Sequence, residues 1–136
     1  MRLVTSNAVD AAIVGINRRS VFSFAEASAV LPVIQRLTKQ YSERVQSMIK
    51  EIESLLPEST RAAGLEAQAD RLIQDWQAKV QKLGGLPKGM WIVDFDSGDG
   101  YFCWKFPEKS IQHWHHYRDG FTKRVLLRET SHDSLN

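Results

Sequence analysis

Residues 90–106 read MWIVDFDSGDGYFCWKF, and this stretch decides the fold. Apolar and polar residues alternate on both sides of a short turn-forming segment, and a period of two is typical of β-strands. A four-residue turn predicts a hairpin in which Phe95 lies opposite Phe102 and Asp94 lies opposite Cys103. One face of this hairpin is aromatic and therefore needs a covering layer.

A second turn, at residues 107–110, leads into a third predicted strand from Ile111 to Tyr117. If this turn has four residues, His113 and His115 lie on the aromatic, helix-facing side of the sheet. A loop one residue shorter or longer would instead bring both histidines to the face that carries Cys103. Whether this turn has an even or an odd number of residues therefore decides whether the histidines face the core or share a face with Cys103.

Two amphipathic helices precede the strands. Ser23 and Glu26 form a capping box, so we expect a helix to begin at Phe24, and apolar residues then recur at steps of three and four as far as Leu55. Pro32 lies inside this run and should bend the helix without ending it. A second stripe continues to the glycines that begin at residue 84. The short break between the two stripes predicts a long antiparallel hairpin with heptad-like, coiled-coil spacing.

The predicted fold is therefore α+β, with a two-helix hairpin followed by a small antiparallel sheet of about three strands packed on it. We expect a flexible N-terminal extension over residues 1–21 and a single domain over residues 22–127. In that domain the helical hairpin covers residues 23–83 and the β-meander covers residues 89–127. Residues 128–136 are predicted to be a disordered tail.

The composition excludes several classes of protein. With 136 residues and a net charge of +2, the chain suits one domain and lacks the concentrated basic surface of a nucleic-acid-binding protein. No apolar run is long enough to cross a membrane, and the N-terminus lacks the charge order of a secretory signal. Cys103 is the sole cysteine, which excludes an internal disulfide and fits a reducing, cytoplasmic location.

The candidate metal ligands are of the types that zinc accepts, and they are Asp94, Cys103, His113 and His115. The simplest register separates the two histidines from the other two residues, so we expect no metal, no cofactor and hydrogen-bonded core histidines. A nucleophilic pair of Cys103 with a histidine meets the same difficulty, and nothing nearby lowers the pKa of the thiol. The sequence neither establishes nor excludes enzymatic activity, and on balance it favours a protein that is not an enzyme.

Several segments together resemble a known family. They are FSFAEASAVLPVIQRL, VDF, YFCWKF and HWHHYRDGF followed by Arg124. They are similar to the bacterial proteins grouped as domain-of-unknown-function family twenty-two-oh-three, over about residues 22–127. The resemblance implies a small soluble bacterial protein and brings no reaction, substrate or cofactor. This chain departs from the family pattern at Pro107, where glycine is common, and at His116, where an acidic residue is common. The resemblance places the family signature on Glu26, Leu31, Pro32, Asp94, Phe95, Cys103, Trp104, Glu108, Trp114, His115, Gly120, Phe121 and Arg124.

Two functions follow from these patterns. The first, which the sequence favours, is a non-enzymatic interaction or structural protein that forms a homo-oligomer, most simply a dimer, through its helical hairpin. A protein partner could dock on the outer sheet face at Tyr101, Trp114 and His116, unless the segment from Phe121 to Leu127 buries Trp114. The alternative is a metal-binding or cysteine-dependent enzyme that uses Asp94, Cys103 and His115.

Overall fold

The computed structural model describes residues 21–127, which form two long helices and a five-stranded antiparallel sheet. The α+β class and the order of helices before strands are confirmed, and the sheet has two strands more than expected. The predicted N-terminal extension, apart from Val21, and the predicted tail lie outside the described residues. The elements are α1 (Phe24–Glu53), α2 (Thr60–Lys82), β1 (Leu86–Gly89), β2 (Ile92–Asp96), β3 (Tyr101–Lys105), β4 (His113–His115), a 3-10 helix (Phe121–Lys123) and β5 (Val125–Leu126).

Helix α1 begins where its cap predicts. The Ser23 hydroxyl accepts a hydrogen bond from the Glu26 backbone N–H at 3.0 Å, and the Glu26 carboxylate accepts one from the Ser23 N–H at 2.9 Å. This reciprocal pair satisfies two backbone donors that a helix start leaves unpaired. Pro32 lies inside the helix without ending it, as expected.

The two helices pack against each other as an antiparallel hairpin. Thr38 and Trp76 are fully buried between them, and the Trp76 indole N–H donates to the Thr38 hydroxyl at 2.9 Å. The Tyr41 hydroxyl donates to the Asp75 carboxylate on the other helix. Within residues 21–127, neither helix combines the length and apolarity needed to span a lipid bilayer.

The strands follow one another in the order β1-β2-β3-β4-β5, and each pairs antiparallel with the next. In the β2–β3 hairpin, Phe95 pairs with Phe102 and Asp94 with Cys103, as predicted. The buried aromatic side packs into one core with the buried faces of the helices. Trp91 lies in the turn before β2 with φ 75°, and its ring still meets the Trp76 ring edge-on at 4.9 Å.

The expected orientation of the third strand is wrong. In the structure His113 pairs with Cys103, so both histidines of β4 lie on the side of the sheet away from the helices. The chain turns tightly after β3, because the Glu108 N–H donates to the Lys105 carbonyl at 2.8 Å and the Lys105 N–H donates to the Glu108 carboxylate at 2.8 Å. Further unpaired residues follow before β4 begins, and they shift the register by one residue.

Trp114 consequently faces the core and not the outer surface. It is 5% exposed, and its indole N–H donates to the Ser97 hydroxyl at 3.0 Å. Gly100 allows this packing, since a Cβ there would lie 2.3 Å from the Trp114 ring. The expectation that Trp114 contributes to an outer partner surface is wrong, whereas Tyr101 is half-buried and His116 is exposed.

Candidate metal centre

Three neighbouring strands bring Asp94, Cys103 and His115 together on the sheet face away from the helices. Asp94 and Cys103 are cross-strand partners on β2 and β3, and His115 comes from β4. The three side chains are 2%, 0% and 3% exposed, and their ligand-type atoms all lie within 4.8 Å of one another. The register shift thus unites the three residues that the simplest register separated.

The hydrogen bonds of His115 define the state of its ring. Its Nδ1 lies 2.9 Å from the backbone carbonyl oxygen of His116, which can only accept, so Nδ1 carries a proton. Its Nε2 lies 3.1 Å from the Asp94 Oδ2 atom. When the ring is neutral, its Nε2 lone pair points at a carboxylate oxygen. These two acceptors can be neighbours only if a proton or a metal cation lies between them.

Asp94 is a buried carboxyl group that the described residues satisfy only in part. Its Oδ1 atom is buried and has no hydrogen-bond partner among residues 21–127. Burial raises the pKa of Asp94 above its usual value, although the neighbouring His115, Cys103 and Lys88 side chains act against this shift. An unsatisfied buried carboxylate is costly, and coordination of a cation would remove that cost.

Cys103 is a protonated thiol at neutral pH in the absence of a metal. Burial, followed by the negative charge of Asp94, raises the pKa of Cys103 to about 12, and Arg124 opposes this in part. A nucleophilic cysteine needs a lowered pKa, so the surroundings of Cys103 do not favour cysteine-based catalysis. A metal ligand of this kind would release its proton when the ion binds.

A second polar group lies beside the cluster. Arg124 and Glu108 form a half-buried bidentate ion pair, with N···O distances of 3.1 and 2.6 Å. His113 Nδ1 is 3.9 Å from the Glu108 carboxylate, and burial lowers the pKa of His113. His113 therefore belongs to this group and is not part of the cluster of possible metal ligands.

Three further residues of the family signature lie close to Glu108 or Arg124. The Trp104 indole N–H donates to the Glu108 carbonyl oxygen at 2.7 Å, which fixes the turn after β3 to the core. The Arg124 guanidinium lies 4.1 Å from the centre of the Phe121 ring. Gly120 precedes the 3-10 helix that begins at Phe121.

A cleft of about 270 Å³ opens above the cluster. Asp94 and His115 line this cleft. Cys103 does not line it, so its thiol is buried below the bottom of the cleft. Sequence reasoning missed Lys88, Tyr117 and Asp119 as cleft residues. Lys88 lies on β1, whose Leu-Pro-Lys-Gly sequence has little strand propensity, and the other two lie in a connection whose path follows from the register of β4. The cleft is lined by Lys88, Ile92, Asp94, Tyr101, His115, Tyr117, Asp119, Gly120 and Phe121.

Residues 20–127 match the family described as an uncharacterized conserved protein, DUF2203. The chain belongs to this family. The matched segment includes every residue that the structure describes, and with them the whole cluster and cleft. No curated protein and no solved structure matches the chain.

The donor set of this DUF2203 protein indicates the metal that its cluster could hold. A carboxylate oxygen, an imidazole nitrogen and a thiolate sulfur are all ligands of Zn²⁺, which is usually bound tetrahedrally. Three protein ligands leave one position for water or a small molecule, as in catalytic zinc sites. The His115 Nδ1–H bond to a backbone carbonyl is the outer-shell contact that typically orients a ligating histidine.

Proposed function

We propose that this protein binds a divalent ion of the zinc class at Asp94, Cys103 and His115 and acts on a small molecule in the cleft above it. The observation that carries the proposal is the convergence of three different ligand types, from three adjacent strands, within 4.8 Å in a buried position. When bound, the ion would supply Lewis acidity at its open coordination position.

The distances fit this assignment. Two ligand atoms about 2.1 Å from one tetrahedral zinc ion lie about 3.4 Å apart. Asp94 Oδ2 and His115 Nε2 are already 3.1 Å apart. The widest separation in the cluster is within 4.8 Å, so movements on the order of 1 Å would complete the site.

Titration of the metal-free protein with Co²⁺ tests the proposal. We expect one ion per chain and a thiolate-to-metal charge-transfer band that Cys103→Ser abolishes. Asp94→Asn and His115→Gln should each weaken binding about tenfold or more. His113→Gln is the matched control, because it lies on the same strand and face but outside the cluster. Absence of uptake, or an equal loss in the control variant, would refute the site.

The affinity should also depend on pH. Because the pKa of Cys103 is about 12, the ion must displace a proton from the thiol at neutral pH. Raising the pH should strengthen apparent Co²⁺ binding by about tenfold per unit for this one proton. Titrations at several pH values across the neutral range measure the slope, and a flat profile would exclude Cys103 as a ligand.

Pairing of two copies through the helical hairpin is a second proposal. It is supported by a hollow of about 650 Å³ on the hairpin, where Met48 and Leu72 lie among charged side chains that include Arg44 and Arg71. A partner helix could cover this apolar floor while its acidic residues meet the arginines. Solution mass over a range of concentrations tests it, with Leu72→Glu as the disrupting variant. A monomer at every concentration would refute it.

A further inference from the structure

The rim of the cleft carries charges of both signs. Lys88 approaches from β1 and Asp119 from the connection after β4, so the two residues reach the cleft from different edges of the sheet. Neither side chain forms an ion pair or hydrogen bond with another residue between 21 and 127. A cation and a carboxylate that face one small cleft with no ion pair or hydrogen bond of their own among the described residues are available to a ligand that carries the opposite charges.

The walls between these two charges are aromatic. The Lys88 ammonium lies 5.6 Å from the centre of the Tyr101 ring, and Tyr101 meets the Tyr117 ring edge-on at 5.0 Å. Tyr117 is held in place because its hydroxyl donates to Asp96 at 2.7 Å. The walls are therefore aromatic surfaces that suit a short apolar side chain, or an ammonium group placed over a ring face.

We infer that the cleft binds a small zwitterion of the amino acid type, with its carboxylate toward Lys88 and its ammonium toward Asp119. This inference rests on the proposed function, because the ligand would lie directly above the metal centre at Asp94 and His115. A volume of about 270 Å³ lies just below the range typical of drug-sized ligands, so a single amino acid or a dipeptide fits better than a longer chain.

Both signs of charge matter to this choice of ligand. A bound divalent ion would neutralise the Asp94 carboxylate and the Cys103 thiolate, which leaves Lys88 and Asp119 as the uncompensated charges of the cleft. A simple anion would be attracted by Lys88 but repelled by Asp119. A simple cation would be attracted by Asp119 but repelled by Lys88. Only a ligand with both groups is favoured at both ends.

Binding of three related probes to the zinc-loaded protein tests the inference. The probes are L-leucine, N-acetyl-L-leucine, which lacks the ammonium group, and L-leucinamide, which lacks the carboxylate. Leucine should bind roughly tenfold more tightly than either blocked form. Metal content is measured again after each titration to show that the ion stays on the protein.

Two variants assign the charges. Lys88→Gln should weaken leucine and N-acetylleucine several-fold and strengthen leucinamide, because the variant no longer repels the cation. Asp119→Asn should weaken leucine and leucinamide and strengthen N-acetylleucine, because the variant no longer repels the anion. Lys105→Gln and Asp70→Asn are matched exposed controls outside the cleft, and they should leave the binding of all three probes unchanged.

The outcomes separate this inference from the metal proposal. Equal binding of the three probes, or unchanged leucine affinity in both cleft variants, overturns the inference while Co²⁺ uptake still supports the metal centre. The same pattern of discrimination in a protein that takes up no metal supports the zwitterion site and refutes the metal centre.

Discussion

At the scale of single residues, the proposed metal-binding role of Asp94 and the stability of the metal-free fold are opposed. The Asp94 carboxyl group is 2% exposed, lies 3.1 Å from the Nε2 atom of His115 and has one oxygen without a partner among the described residues. When the ring is neutral, an asparagine amide could donate to that nitrogen, whereas an ionised carboxylate cannot. We expect Asp94→Asn to raise the free energy of unfolding of the metal-free protein by about 1–2 kcal/mol at neutral pH, measured by urea denaturation.

The pH dependence of unfolding gives an independent check on this residue. Burial raises the pKa of Asp94 in the folded protein, so the folded state holds this proton more tightly than the unfolded state. The contribution of Asp94 to stability is therefore largest in acid and decreases as the pH rises through the interval between the two pKa values. Asp94→Asn should remove this decrease. Asp96→Asn is the control, because the Asp96 Oδ1 atom already accepts from Tyr117 and Gly98 and an asparagine oxygen can keep both bonds, so this change should not raise the free energy of unfolding. A destabilised Asp94→Asn protein would contradict the assignment.

At the scale of elements, the turn between β3 and β4 sets the register that builds the site. Glu108 accepts from the Lys105 N–H and from both terminal nitrogens of Arg124, which leads into β5. Glu108→Gln keeps the shape but leaves a half-buried guanidinium without its counter-charge. We expect a loss of about 2 kcal/mol in the free energy of unfolding at neutral pH.

This loss should disappear in acid. Although burial opposes it, the hydrogen bond from Arg124 holds the pKa of Glu108 below its usual value of 4.5. The stabilisation by Glu108 is present above the unfolded-state pKa and is lost as the pH falls through the lower folded-state value. Wild-type and Glu108→Gln unfolding curves should therefore converge at low pH. Glu66→Gln on the exposed surface of α2 is the control, and a difference that persists in acid would refute the role of the charge.

The same element shows how far sequence reasoning reaches. Four turn-forming residues fix the β2–β3 hairpin, because local turn chemistry determines its pairing, and Asp94 could be placed opposite Cys103 from the sequence alone. The β3–β4 connection is held by Glu108, through a contact with Arg124 that is distant in sequence. A one-residue change in pairing moves every side chain of β4 to the other face. The residue types of the site were thus predictable, but their convergence was not.

At the scale of the whole molecule, the helices and the site lie on opposite sides of one sheet. Trp76, fully buried on α2, hydrogen bonds to Thr38 on α1 and packs against Trp91 beside β2, so the hairpin holds the sheet from its aromatic side. The stripes of both helices and the capping box of α1 predict this layer, because amphipathic periodicity depends on residues close in sequence. Strand β1 carries too few residues and too weak a pattern to be predicted, whereas β5 is a two-residue strand at the end of the predicted meander.

A metal ion would join β2, β3 and β4 across the other side of that sheet, so its binding should stabilise the entire fold. An ion that binds the folded chain at a free concentration 100 times its dissociation constant adds about 2.7 kcal/mol to the free energy of unfolding. The unfolding temperature of the wild type should rise when Zn²⁺ is added and fall back when a chelator removes the ion. Cys103→Ser, which lacks the thiolate from the central strand of the three, should shift far less. A wild-type curve that Zn²⁺ leaves unchanged would mean that the ion does not hold these strands together, because a ligand selective for the folded state must stabilise it.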